Sequence, residues 1–330
     1  MSTTAAPPPP LPAAVPQHPR RRGLRDLLTR VWHEVRPTSG AGLLVCATGL
    51  VLAGAGVAHL GVQAVDGGAW SGPVSWRKPV VFGLSLGILL VTVGVVLRWV
   101  SGSVRRWVAG LLAVGSVVEY VGIASQRWRG VPSHFNEATA YDSAVFGVMA
   151  WAVGVIVLAV ALLLVVTALP RRFTGGGALR AAVLAGLGAV LVSSWVGGRM
   201  IAEGTEVVAA TGAVPDSVVF GAQGSAKLFH AVGQHGLQLL LAVAVLLRLS
   251  GAPARRSLTV TLLAAAGYAG VLAGVGASAL RGESWLALPR SLLLPGLPGA
   301  LLLAVAGTVT AVHVVRWSRG LADEPAAVVG

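Results

Sequence analysis

Between Ser125 and Asp142 the chain reads SQRWRGVPSHFNEATAYD, and this segment gathers Gln126, Arg127, Arg129, His134, Asn136, Glu137 and Asp142 in a sequence that is otherwise almost continuously apolar. A connection between two helices needs a few turn residues; one this rich in donors, acceptors and ionisable groups is where function is expected. Glu119 stands alone inside an apolar run. A carboxylate there costs on the order of 2–3 kcal/mol, so it should face the protein interior, paired with Arg or His or carrying its own proton. Lys227, His230, Gln234 and Gln238 recur at i, i+3, i+7 and i+11, a single polar stripe on a helix. His235 falls off that stripe, since positions five apart on a regular helix differ by about 140°. It shares a ligand with His230 only across a distortion, for which Gly233 is a candidate.

These side chains admit three kinds of chemistry. In the first, Glu119, Gln126, Arg129, His134, Asn136, His230, Gln234, His235 and Gln238 line a pocket for a small molecule or lipid, as in a transporter, carrier or sensor. In the second, the site holds a cofactor, with His59, His134, His230, His235 and Glu119 as candidate metal ligands. Zinc would take three protein ligands and a water, with Glu119 as general base of a membrane hydrolase. Haem would need one or two axial histidines, such as His59 with His230 or His235, and would transfer electrons. No Cys-x-x-Cys-His occurs, so covalent haem attachment is excluded; Cys46 is the only cysteine. In the third, the polar groups join helices in an accessory subunit. Some have simpler readings: Ser133 and Asp142 as helix caps, and Arg127, Arg129 and Trp76-Arg77-Lys78-Pro79 as anchors at lipid headgroups.

The elements that must position these groups are membrane helices. With a mean hydropathy of +0.78, 55% hydrophobic and only 11% charged residues, the composition rules out a soluble globular domain. Apolar runs near 41–63, 79–99, 104–124, 143–168, 179–200, 226–248, 257–279 and 293–315 are each long enough to span a bilayer, and an α-helix satisfies its own backbone there. Pro295 and Pro298 suggest a later start for the last. The net charge of +13 does not point to nucleic acid, because the basic residues fall in short clusters between spans, where they set topology. Most of the 25 Lys and Arg lie in the segments that are cytoplasmic if both termini are inside. The glycines mark stripes of close helix contact, among them Gly49, Gly54, Gly56, Gly115, Gly122, Gly186, Gly188, Gly197 and Gly198.

The expected fold is therefore an all-α integral membrane bundle of about eight transmembrane helices over 39–316, with both termini cytoplasmic. Residues 1–22 form a disordered Pro/Arg-rich cytoplasmic tail, and 317–330 a second cytoplasmic tail. Within 23–38, Leu24, Leu27, Leu28, Val31, Trp32 and Val35 make one face of an amphipathic helix suited to the anionic inner leaflet. On this topology Glu119, His134, His230 and their neighbours share the extracytoplasmic half, while the inner halves offer only Thr167, Ser193, Ser194, Thr308, Thr310 and His313. That asymmetry argues for a one-sided ligand- or cofactor-binding site rather than a through-route. Oligomeric state is left open, and catalysis is unproven.

Three segments, WRKPVVFGLSLGI (76–88), QRWRGVPSHFN (126–136) and HAVGQHGLQ (230–238), resemble those of a family of uncharacterised bacterial polytopic membrane proteins that pairs Q-x-x-R-G-x-x-S-H-F-N with a later H-x-x-x-x-H-x-x-Q helix. Gln126, Arg129, Gly130, Ser133, His134, Phe135, Asn136, His230, His235 and Gln238 carry the likeness. It implies a shared fold and site in a bacterial plasma membrane, and brings no established reaction.

Overall fold

The computed structural model describes residues 23–213 and 225–321. The expected tail at 1–22 lies outside these residues, as does 322–330 of the second tail. Among the described residues eight helical spans are long and apolar enough to cross a membrane. They follow a short helix α1 (Leu24–Val35) and are α2 (Gly40–Asp66), α3 (Arg77–Val96), α4 (Val104–Trp128), α5 (Ala140–Ala168), α6 (Gly177–Thr211), a broken span made of α7 (Ser225–Gln234) and α8 (Gly236–Leu249), α9 (Ala254–Leu280) and α10 (Arg290–Ser318). Among the described residues there is no named strand, only an isolated antiparallel bridge between Val100 and Phe173.

Several boundaries differ from the expectation for local reasons. α10 begins at Arg290 and keeps Pro295 and Pro298 inside it, past the first turn, where each removes one backbone hydrogen bond without ending the helix. α5 begins at Ala140, and its cap is Thr139, whose hydroxyl accepts from the Asp142 amide; Asp142 is therefore not the cap. Ser133 caps no helix either, for none forms at His134. α6 runs on to Thr211, well past the expected end near residue 200.

Helix pairs close tightly where both partners are glycine. A Cβ on Gly49 would lie 2.7 Å from the Gly87 carbonyl oxygen, and one on Gly87 would lie 2.7 Å from that of Gly49. Gly267 and Gly299 press α9 and α10 together in the same way, at 2.7 and 2.6 Å. Gly54, Gly188 and Gly198, expected in contact stripes, face open space instead. The spans divide into two halves. α2 packs along α3 and α4 along α5 in one; α6 carries α7, α8 and α9, with α10 on α9, in the other. The halves meet where α5 lies against α6 and where α3 touches α8.

α1 lies across one end of the bundle. Glu34 pairs with Arg248 at 3.1 Å, Arg98 donates to the Arg36 carbonyl at 3.2 Å, and the Arg30 guanidinium stands 5.3 Å from the Trp317 ring. Leu24, Leu28 and Trp32 stay exposed along its outward face. This is the basic end; the opposite end, with the 67–76 and 129–139 loops, is the site end.

Candidate functional site

The 129–139 loop folds inward and plugs the site end. Gly130 turns the chain at φ +72°, and Phe135 also adopts a left-handed φ of +59°, which a non-glycine residue holds only when its surroundings fix it. The surroundings are aromatic: Phe135 is buried 5.7 Å from Phe146, and the His134 ring sits 5.9 to 6.2 Å from Phe82, Phe135 and Phe146.

A buried network clamps the loop. Asp142 accepts from Gln126 at 2.9 Å and Arg129 at 2.5 Å on one oxygen, and from Thr139 at 2.7 Å on the other. Arg129 also donates to the Gln126 side-chain amide oxygen and covers the Tyr141 ring at 4.6 Å. Asn136 donates to the Pro132 carbonyl and accepts from the Ala138 amide, each at 3.2 Å. Gln126, Arg129 and Asn136, candidate ligand contacts by sequence, thus direct these groups at the loop's own conformation.

A second cluster joins α2, α3 and α4. Trp128 donates its indole N–H to His59 Nε2 at 3.1 Å, which places the imidazole proton on Nδ1, 2.8 Å from the Ala55 carbonyl and 2.9 Å from the Tyr120 hydroxyl. Both ring nitrogens of His59 are therefore engaged. Beside it Asp66 accepts from Trp76 at 2.6 Å and from Arg127 at 3.1 Å, and the Arg127 guanidinium lies 3.9 Å from the Trp76 ring centre.

The polar stripe of the sixth span is broken. Its helix interrupts at His235, where the Tyr268 hydroxyl donates to the Val232 carbonyl and Gly236 fits between Ala189 and the Tyr268 ring. The distortion falls at His235 and not at Gly233, which instead presses against Ser193. His230 Nδ1 meets the Ser193 carbonyl at 2.8 Å, the Ser193 hydroxyl donates to the His230 carbonyl at 2.8 Å, and Gln234 reaches the same hydroxyl at 3.0 Å. The Gln238 amide, with its nitrogen inward, donates to the Gln234 and His235 carbonyls at 3.0 and 3.2 Å. His235 itself is exposed and stands apart from His230.

One face of α4 gathers several buried oxygens without partners. Glu119 is 1% exposed, and neither carboxylate oxygen has a hydrogen-bond partner; Ser116, one turn earlier and fully buried, has none for its hydroxyl. His134 Nε2 lies 3.9 Å from Glu119 Oε1, beyond hydrogen-bonding reach, while its Nδ1 meets the Ser133 hydroxyl at 2.9 Å. Burial and the positive charge of Lys78 hold the His134 imidazole well below its ordinary range, at about 3, so it is neutral at physiological pH. Sequence reasoning missed Ser116, although its i, i+3 spacing from Glu119 was a usable signal. Among the described residues no three His, Cys, Asp or Glu side chains come together as a metal would require; of the candidate ligands only Glu119 and His134 are neighbours, and His59, His230 and His235 lie apart from them. No family model, curated protein or solved structure matches the chain.

Proposed function

We propose that the chain is a multi-pass protein of a bacterial plasma membrane, with both termini cytoplasmic, whose extracytoplasmic half holds a one-sided ligand site centred on Glu119, Ser116 and His134. One observation carries this reading: three buried polar oxygens on one face of α4 lack any hydrogen-bond partner. Buried polar groups are ordinarily satisfied, and each orphan costs about 1–3 kcal/mol or more when charged. A ligand presenting a cationic or N–H/O–H group would satisfy Glu119 and Ser116 together, and neutral His134 would orient it. The other sequence candidates in the site-end loop serve as the frame that holds this pocket closed. The bond pattern at His59 and the dispersed carboxylate and histidine donors favour a metal-free site over the zinc hydrolase or haem readings. The scarcity of polar groups in the opposite half favours binding over translocation.

The test is native mass spectrometry of gently solubilised protein, with iron and zinc measured on the same sample. Wild type is expected to retain a small-molecule adduct, free of metal, that Glu119→Gln and Ser116→Ala lose while keeping a monodisperse elution profile. Near-stoichiometric zinc or iron would replace the metal-free reading with a cofactor site. An adduct retained at full occupancy by both variants would remove Glu119 and Ser116 from it.

A further inference from the structure

Arg77 and Lys78 open α3, and Lys227 lies in the first turn of α7, so all three cations belong to the site end of spans from opposite halves of the bundle. They are half-buried. Among the described residues no carboxylate pairs with any of them: the ion pairs there join Arg127 to Asp66, Arg129 to Asp142 and Arg248 to Glu34. Asp66, on the neighbouring α2, is already held by Arg127 and Trp76. The buried Nε of Arg77 has no hydrogen-bond acceptor. The three charges instead act on one another, Arg77 and Lys227 on Lys78, and Arg77 on Lys227. Like charges held together in a partly desolvated place are unfavourable, and intramembrane cations are ordinarily paired. The first turn of α3 adds the positive end of a helix dipole.

We infer that Arg77, Lys78 and Lys227 form a binding site for a phosphate-bearing anion that bridges the two halves of the bundle at the site end. Arg77 supplies a planar fork suited to two phosphate oxygens, and the lysines act as mobile point charges from either side. The anion is either the headgroup of an anionic lipid or a free phosphate. None of Glu119, Ser116 and His134 contributes to this site, although the Lys78 charge also acts on His134; Lys227→Gln, which leaves Lys78 in place, tests this site apart from that reading.

The experiment uses the full chain in nanodiscs of phosphatidylcholine alone, into which phosphatidylglycerol is titrated in one arm and inorganic phosphate in the other. The readout is the thermal unfolding midpoint together with adducts in native mass spectrometry. A saturable rise in midpoint is expected in at least one arm. A response to the lipid alone identifies a headgroup site, and one to phosphate alone a soluble-anion site. Lys227→Gln and the double variant Lys78→Gln/Lys227→Gln should weaken the response at least tenfold, while the charge-conserving Lys227→Arg keeps it within about threefold. Lys227→Arg controls for folding if the glutamine variants accumulate poorly. No response of folded wild type in either arm, or an equal response in the glutamine variants, overturns the proposal.

Discussion

His134 is kept neutral by its setting, and the consequence for stability has a definite sign. In the unfolded chain its imidazole takes up a proton near 6.5; in the fold, buried between phenyl rings and facing the Lys78 charge, it does so only near 3. Its contribution is therefore complete above about pH 6.5 and is lost as pH falls from there toward 3, because only the unfolded state binds the proton in that window. Thermal unfolding followed by tryptophan fluorescence should show the midpoint falling through this range, and His134→Gln should remove part of that slope; an unchanged slope would mean that the imidazole is not the group responsible. At this scale the sequence was informative about residue types and less so about their partners. Glu119 stood out as an ionisable group set among apolar neighbours, and His134 as part of a connection unusually rich in side-chain chemistry. Gln126, Arg129 and Asn136 looked equally available, yet their reach to Asp142, Pro132 and Ala138 depends on how the loop folds back, which no spacing encodes.

At the scale of elements, the α2–α3 pair depends on the absence of side-chain atoms at its crossing. A Cβ on Gly87 would sit 2.7 Å from the Gly49 carbonyl oxygen and equally close to the Ala53 methyl group. Gly87→Val should therefore force the helices apart and lower stability by about 1–3 kcal/mol, the usual range for overpacking. Gly54→Ala, where nothing lies within 4 Å, should leave the midpoint unchanged and so serves as the control. Hydropathy made the spans legible, since each is an apolar run longer than the bilayer requires. Their ends were harder to read. Pro295 and Pro298 look like helix breakers but are tolerated inside a membrane-type helix, and Asp142 looks like a cap although Thr139 precedes it in the extended conformation a cap needs. The interruption at His235 is likewise a tertiary effect, since Tyr268 comes from another helix.

At the scale of the whole molecule, the basic residues at one end and the folded loops at the other define an orientation that a topology assay can read. Phosphatase fusions after Gly68 and Glu137 should be active, and fusions after Ser101 and Phe173 inactive; a reversal at either loop would invert the extracytoplasmic assignment of the Glu119 pocket. α6 adds something that a bundle of minimal spans would lack. Its 35 residues form one uninterrupted helix about 52 Å long, against a hydrocarbon core of about 30 Å. Ser193, which touches His230 and Gln234, sits about midway along it, and the C-terminal turns run on to Thr211. A helix that outruns the hydrocarbon core by about 20 Å must tilt or stand clear of it, and a contact near its midpoint stays deep in either case.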